Sequence, residues 1–183
     1  MSEFEFLMAI ASVVIAIALT EIFGGWGDLL RTKISPQIDW LHLAWTVVVV
    51  MYAIQYWVGI WPYRDVYFNL IFQVWFLIVP TLFIVLVAYA ITPNIDPDQE
   101  LRLRDYYMSR RGPIFIGLAV FVTMAQMADL VILGSGFGNI GLYLIAILLI
   151  PAFSTSVLLH AAVLIPNLYF LLLNAFTPGA MIG

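Results

Sequence analysis

Apolar runs of about 20 residues recur along this chain, and a helix needs a run of that length to cross the roughly 30 Å hydrocarbon core of a bilayer. In lipid, every backbone amide and carbonyl has to find its partner inside the protein, so such runs fold as helices. About six can be placed. The first runs from Phe4 to Phe23, stops at Gly24-Gly25-Trp26-Gly27, and is followed by Asp28, Arg31 and Lys33. The second, Leu41 to Trp61, is closed by Pro62 and the Arg64-Asp65 pair; the third, Val66 to about Ile91, carries Pro80 as a kink site. A polar stretch from Thr92 to Gly112 precedes the fourth run, Ile114 to Leu133, which ends in the glycine-rich turn Gly134 to Gly138.

From Asn139 to Phe176 the chain is apolar for about 57 Å at helical rise, nearly twice the hydrocarbon thickness, so it has to fold back. Ser154-Thr155-Ser156 is the best turn, which predicts a fifth span over 139–153 and a sixth over 157–176. Pro151 and Pro166 leave a broken or re-entrant segment as the alternative. The reading is an all-α integral membrane bundle forming a single transmembrane domain over residues 1–183.

Composition agrees. Of 183 residues, 64% are hydrophobic and 10% charged, far from a water-soluble balance. The mean hydropathy of +1.04 points the same way. The formal charge of -4 matters less than its placement, because the acids and bases gather in loops and near helix ends. Nothing points to a nucleic-acid partner. With no cysteine, disulfides, thiolate metal sites and thiol nucleophiles are excluded. The N-terminus carries Glu3 and Glu5 where a signal peptide has basic residues, and reads as a retained first helix.

Orientation follows from the basic residues. Arg31, Lys33, Arg102, Arg104, Arg110 and Arg111 fall on one side and Arg64 alone on the other, which predicts a cytoplasmic basic side and an outer N-terminus. An inverted three-plus-three arrangement is topologically allowed. Asp96-Pro97-Asp98-Gln99 reads as a helix start, and a short cytoplasmic interfacial helix is expected over about 97–111; an ordinary solvated loop helix is the alternative.

Three polar patterns carry what chemistry there is. On the first helix Ser12, Ala16, Thr20 and Gly24 form a small-residue stripe, the usual means of close helix packing in lipid, within the chain or between protomers. Counted from the helix ends, Gln55, Gln73 and Gln126 lie at one level, roughly 10 Å inside the outer boundary, with Ser12 nearby and Asp129 one turn closer to the surface. These groups are expected to turn inward and bond one another or water. They form either interhelical glue or a site for a cation, proton or small polar ligand with Asp129 as its charge. At the opposite end, Glu21, His42 and His160 lie near the ends of the first, second and sixth helices.

No bound cofactor, metal or catalytic residue is predicted. Haem iron on His42 or His160, or a quinone against Trp45, Tyr52 and Tyr56, is the alternative to head-group histidines and aromatic packing. Gly136 to Gly141 matches the dinucleotide fingerprint in letters only, because no βαβ unit surrounds it. Ser154 and Ser156 precede His160 without a nucleophile elbow.

The run Ala18-Leu19-Thr20-Glu21-Ile22-Phe23-Gly24-Gly25, with Trp40-Leu41-His42-Leu43-Ala44-Trp45, Gln55-Tyr56-Trp57, Asp105-Tyr106-Tyr107 and Arg110-Arg111, resembles a group of small, uncharacterised bacterial polytopic membrane proteins. The resemblance implies a bacterial inner membrane and carries over no activity. Three functions therefore stand at this level: an oligomeric channel or small-solute transporter, an accessory or assembly subunit of a larger membrane complex, and a haem- or quinone-binding redox protein.

Overall fold

The computed structural model describes residues 2–31, 37–68, 70–94, 102–135 and 138–176, and six α-helices account for most of them. They are α1 (Glu3–Arg31), α2 (Trp40–Gly59), α3 (Ile71–Ile91), α4 (Leu103–Ala128), α5 (Asn139–Phe153) and α6 (Val157–Phe176). A 3-10 turn, Trp61–Asp65, follows α2, and the end of α4 widens into a π turn, Asp129–Leu133. Five of the helical segments are long and apolar enough to cross a membrane, and α5 is shorter. The molecule is a multi-pass helical membrane protein. Large apolar side chains such as Phe153, Leu158 and Phe176 stand almost fully exposed, which water penalises and hydrocarbon does not.

α4 lies at the centre of the packing. It contacts α3 and α5 extensively, α1 lies against α3, and α2 pairs with α6. One large core runs through all six helices around Trp45, Ile84, Phe115 and Leu148; a smaller one at the opposite end joins Phe4, Leu7 and Ala11 to Ile60, Tyr63 and Leu77. Close approach needs glycine at two of these contacts. A Cβ on Gly117 of α4 would come within 2.6 Å of Val87 Cγ2 on α3, and one on Gly25 of α1 within 2.2 Å of Thr92 Cγ2.

Several helix boundaries differ from those the sequence suggests. The first helix does not stop at Gly24: α1 runs through all three glycines to Arg31, about 44 Å at helical rise. Glycine costs only about 1 kcal/mol in a helix interior, and contact with α3 offsets it. The third helix starts later than Val66, because residues 66–68 are non-helical and the cap is Leu70. The fourth starts earlier. No separate interfacial helix exists over the described part of 97–111: residues 103–111 form the first turns of α4, which passes through Pro113 without a break. That proline lacks one amide donor, a loss that neighbouring groups in a bundle make good. The capping sequence at Asp96–Gln99 lies outside the described residues.

Helix entry at the arginine-rich end depends on Asp39. Its Oδ1 accepts from the amides of Leu41 and His42, both at 3.1 Å, and caps α2; its Oδ2 takes the Arg104 guanidinium at 2.7 Å, tying α2 to α4.

Candidate functional site

The polar groups expected at one helix level each find a partner of their own, and Gln73, counted from Val66 in that expectation, falls instead in the first turn of α3, which starts at Ile71. Asp129 Oδ1 accepts from the Tyr63 hydroxyl at 2.5 Å, joining the π turn to the 3-10 turn. Gln55 donates through Nε2 to the Leu171 carbonyl, linking α2 to α6. Gln126 Oε1 takes the Gly138 amide at 3.4 Å and lies so close to Gly141 that a Cβ there would stand 2.6 Å from its amide carbon. Gln73 caps its own helix, its Oε1 accepting from Leu70 N at 3.2 Å. Ser12 Oγ donates to the Met8 carbonyl at 2.7 Å and accepts from Trp57 Nε1 at 2.8 Å. Bonding of these five to one another is not found among the described residues; four of them tie separate pairs of segments and Gln73 caps its own helix. Neither the large groove nor the small pocket described below reaches them.

The two histidines of the other end meet across Tyr107. Its hydroxyl donates to His160 Nδ1 at 2.5 Å, which assigns the proton of that ring to Nε2, where it donates to the Ser154 carbonyl at 2.8 Å. His42 Nε2 donates to the Ile91 carbonyl at 2.8 Å, and its ring lies 6.3 Å from Tyr107. Both histidines and Tyr107 are fully buried, packed with Phe115 and Trp45. Each Nε2 is held by a backbone carbonyl, while His42 Nδ1 is buried without a hydrogen-bond partner. Tyr52 and Tyr56 are committed as well, to Asn167 Oδ1 and the Leu77 carbonyl at 2.7 Å each, so the deep aromatics of α2 build the core.

His160→Phe keeps a ring in place but strands the Tyr107 hydroxyl and the Ser154 carbonyl. A loss of about 1 to 3 kcal/mol is expected in reversible unfolding from mixed micelles. An unchanged midpoint would mean that the relay contributes no stability.

Glu21 is far from the histidine cluster in role. It lines a groove of about 1370 Å³ between the last turns of α1, the end of α3 and the first turns of α4. Three of the four stripe residues, Ala16, Thr20 and Gly24, are exposed and line the same groove, whereas Ser12 contacts Trp57 of α2. The packing face of α1 is its neighbour, Ala11, Ile15, Ala18, Ile22 and Gly25. A Cβ on Gly24 would meet nothing within 4 Å. The charged part of the lining is Glu21, Asp28 and Arg31 from α1 with Arg110 from α4; the apolar part includes Val13, Ala16 and Ile17. Tyr106 braces the wall, donating its hydroxyl to the carbonyls of Ala90 at 3.0 Å and Thr92 at 2.7 Å. Thr92 is part of the lining, and its hydroxyl is buried without a hydrogen-bond partner. A second, smaller pocket of about 240 Å³ opens beside Asp39 and Arg104.

Sequence reasoning passed over Asp39, Asn167 and the role of Tyr107. A capping signal at Asp39 was available, an acid just before an apolar helix. Asn167 is a lone amide in an apolar run, which in lipid demands a partner. Nothing local marks Tyr107, whose partner lies 53 residues away. No family model matches this chain, and neither the curated proteins nor the solved structures contain a match.

Proposed function

We propose that this protein is a multi-pass transport protein of the bacterial inner membrane that binds an amphiphilic small molecule in the groove between α1, α3 and α4. One observation carries the reading: a single open groove joins a charged end, with Glu21, Asp28, Arg31 and Arg110, to an apolar end on Val13, Ala16 and Ile17. Charged groups near hydrocarbon are expensive and mark binding sites by default. The lining supplies groups that grip a ligand, carboxylates and guanidiniums beside apolar side chains. Placing the arginine-rich end in the cytoplasm leaves the N-terminus outside and opens the groove to the inner leaflet.

Gly24→Trp tests this, because open space beside Gly24 lets an indole fill the groove without disturbing the helix contacts. Binding of a phospholipid with a fluorescent acyl chain to the purified protein is expected to weaken at least tenfold, with thermal stability unchanged. Equal binding by the variant would overturn the assignment. The exposed stripe supports a second reading, an accessory subunit whose partner helix lies on Ala16, Thr20 and Gly24. In that case Gly24→Trp removes a co-purifying protein and leaves lipid binding as it was.

A further inference from the structure

We infer that the groove selects a zwitterionic phospholipid whose head group ends in a primary amine. The inference rests on the amphiphile-binding reading above and names its ligand class.

The first argument is charge. The groove presents two carboxylates, Glu21 and Asp28, and two guanidiniums, Arg31 and Arg110. Among the described residues none of the four forms an ion pair; the pairs present are Arg64 with Asp65 and Arg104 with Asp39. Glu21 of α1 and Arg110 of α4 line the same groove, so opposite charges face it without forming an ion pair among the described residues. A purely anionic or purely cationic ligand would satisfy one set and repel the other. A zwitterion satisfies both, with its phosphodiester against the arginines and its ammonium against the carboxylates.

Geometry supplies the second argument. Along α1 the apolar lining from Val13 to Ile17 covers about 6 Å at helical rise, and Glu21 follows one turn later, so the carboxylate stands beside the apolar end as a head group stands beside the start of its acyl chain. Tyr106 donates to two carbonyls and holds the wall, leaving recognition to the charges.

The amine class follows from the acceptors. Carboxylates reward N–H donors, and a quaternary ammonium has none, being held instead in aromatic cages.

Native mass spectrometry of protein equilibrated with equimolar phosphatidylethanolamine, phosphatidylcholine and phosphatidylglycerol is the test. Wild type should carry the ethanolamine lipid at least fivefold over either competitor. Glu21→Gln, and separately Asp28→Asn, should erode that preference towards phosphatidylglycerol, and Arg110→Gln should weaken all three lipids. Should one carboxylate variant fail to fold, the other carries the comparison. Equal retention of the three lipids, all lost in Gly24→Trp, would overturn the head-group assignment and leave the amphiphile reading standing. Lipid retention indifferent to Gly24→Trp would overturn both.

Discussion

Phe115→Ala is expected to destabilise the bundle by about 3 kcal/mol, near the lower end of the range for buried aromatic truncations. Phe115 has no exposed surface, and its ring meets Trp45 edge-on at 4.6 Å, His160 at 5.3 Å and Tyr107 at 6.2 Å. One side chain of α4 thus fills the space shared with α2 and α6. In lipid the transfer part of the loss shrinks, because the unfolded helices are also in an apolar solvent. What remains is the cavity and its lost dispersion contacts, which the rigid aromatic neighbours cannot close. The fluorescence of Trp45, which packs directly on the truncated ring, should change along with the unfolding midpoint in mixed micelles. A shift below about 1 kcal/mol would show that the aromatic cluster repacks freely.

The membrane character of the chain was legible because it depends on run length alone. Helix ends were harder. Gly24-Gly25-Trp26-Gly27 has the composition of a stop, yet α1 passes through it, because Gly25 is where the backbone meets Thr92 and Gly24 is where the groove opens. The first turns of α4 carry arginines and a proline, and their continuity with the apolar part depends on contacts outside their own sequence, such as Arg104 with Asp39 and Tyr106 with the end of α3.

Depth along a helix can be counted from sequence, but azimuth cannot be counted as well. The count from Val66 misplaces Gln73, because α3 starts at Ile71, and the partners of Gln55, Gln126 and Asp129, namely Leu171, Gly138 and Tyr63, depend on which helices become neighbours. The stripe on α1 shows the same limit. The adjacent face, Ala11 to Gly25, does most of the packing, Ser12 bonds Trp57, and Ala16, Thr20 and Gly24 are left to line the groove. Glu21 was singled out with His42 and His160 because all three lie near one end. In the fold the histidines go to the core, and Glu21 joins Arg110, 89 residues further along, in lining the groove.

Gly117→Leu is expected to cost about 3 kcal/mol and to abolish lipid retention at a site it does not touch. A Cβ at residue 117 would already stand 2.6 Å from Val87 Cγ2, and Val87 is fully buried and stiff about χ1, so it cannot swing aside. A leucine there has to push α3 away from α4. That displacement acts on the groove, because the Tyr106 hydroxyl of α4 reaches the Ala90 and Thr92 carbonyls only while the two helices stay close. Losing those two bonds frees the wall that carries Arg110. The paired variant Val87→Ala with Gly117→Ala removes the methyl that clashes as it adds the Cβ, and should restore both the unfolding midpoint and the bound lipid. If Gly117→Leu unfolds at the wild-type midpoint, glycine is not what sets the α3–α4 distance. If it is destabilised yet keeps its lipid, the groove does not depend on that distance, and Tyr106 is not the brace that couples the core to the site.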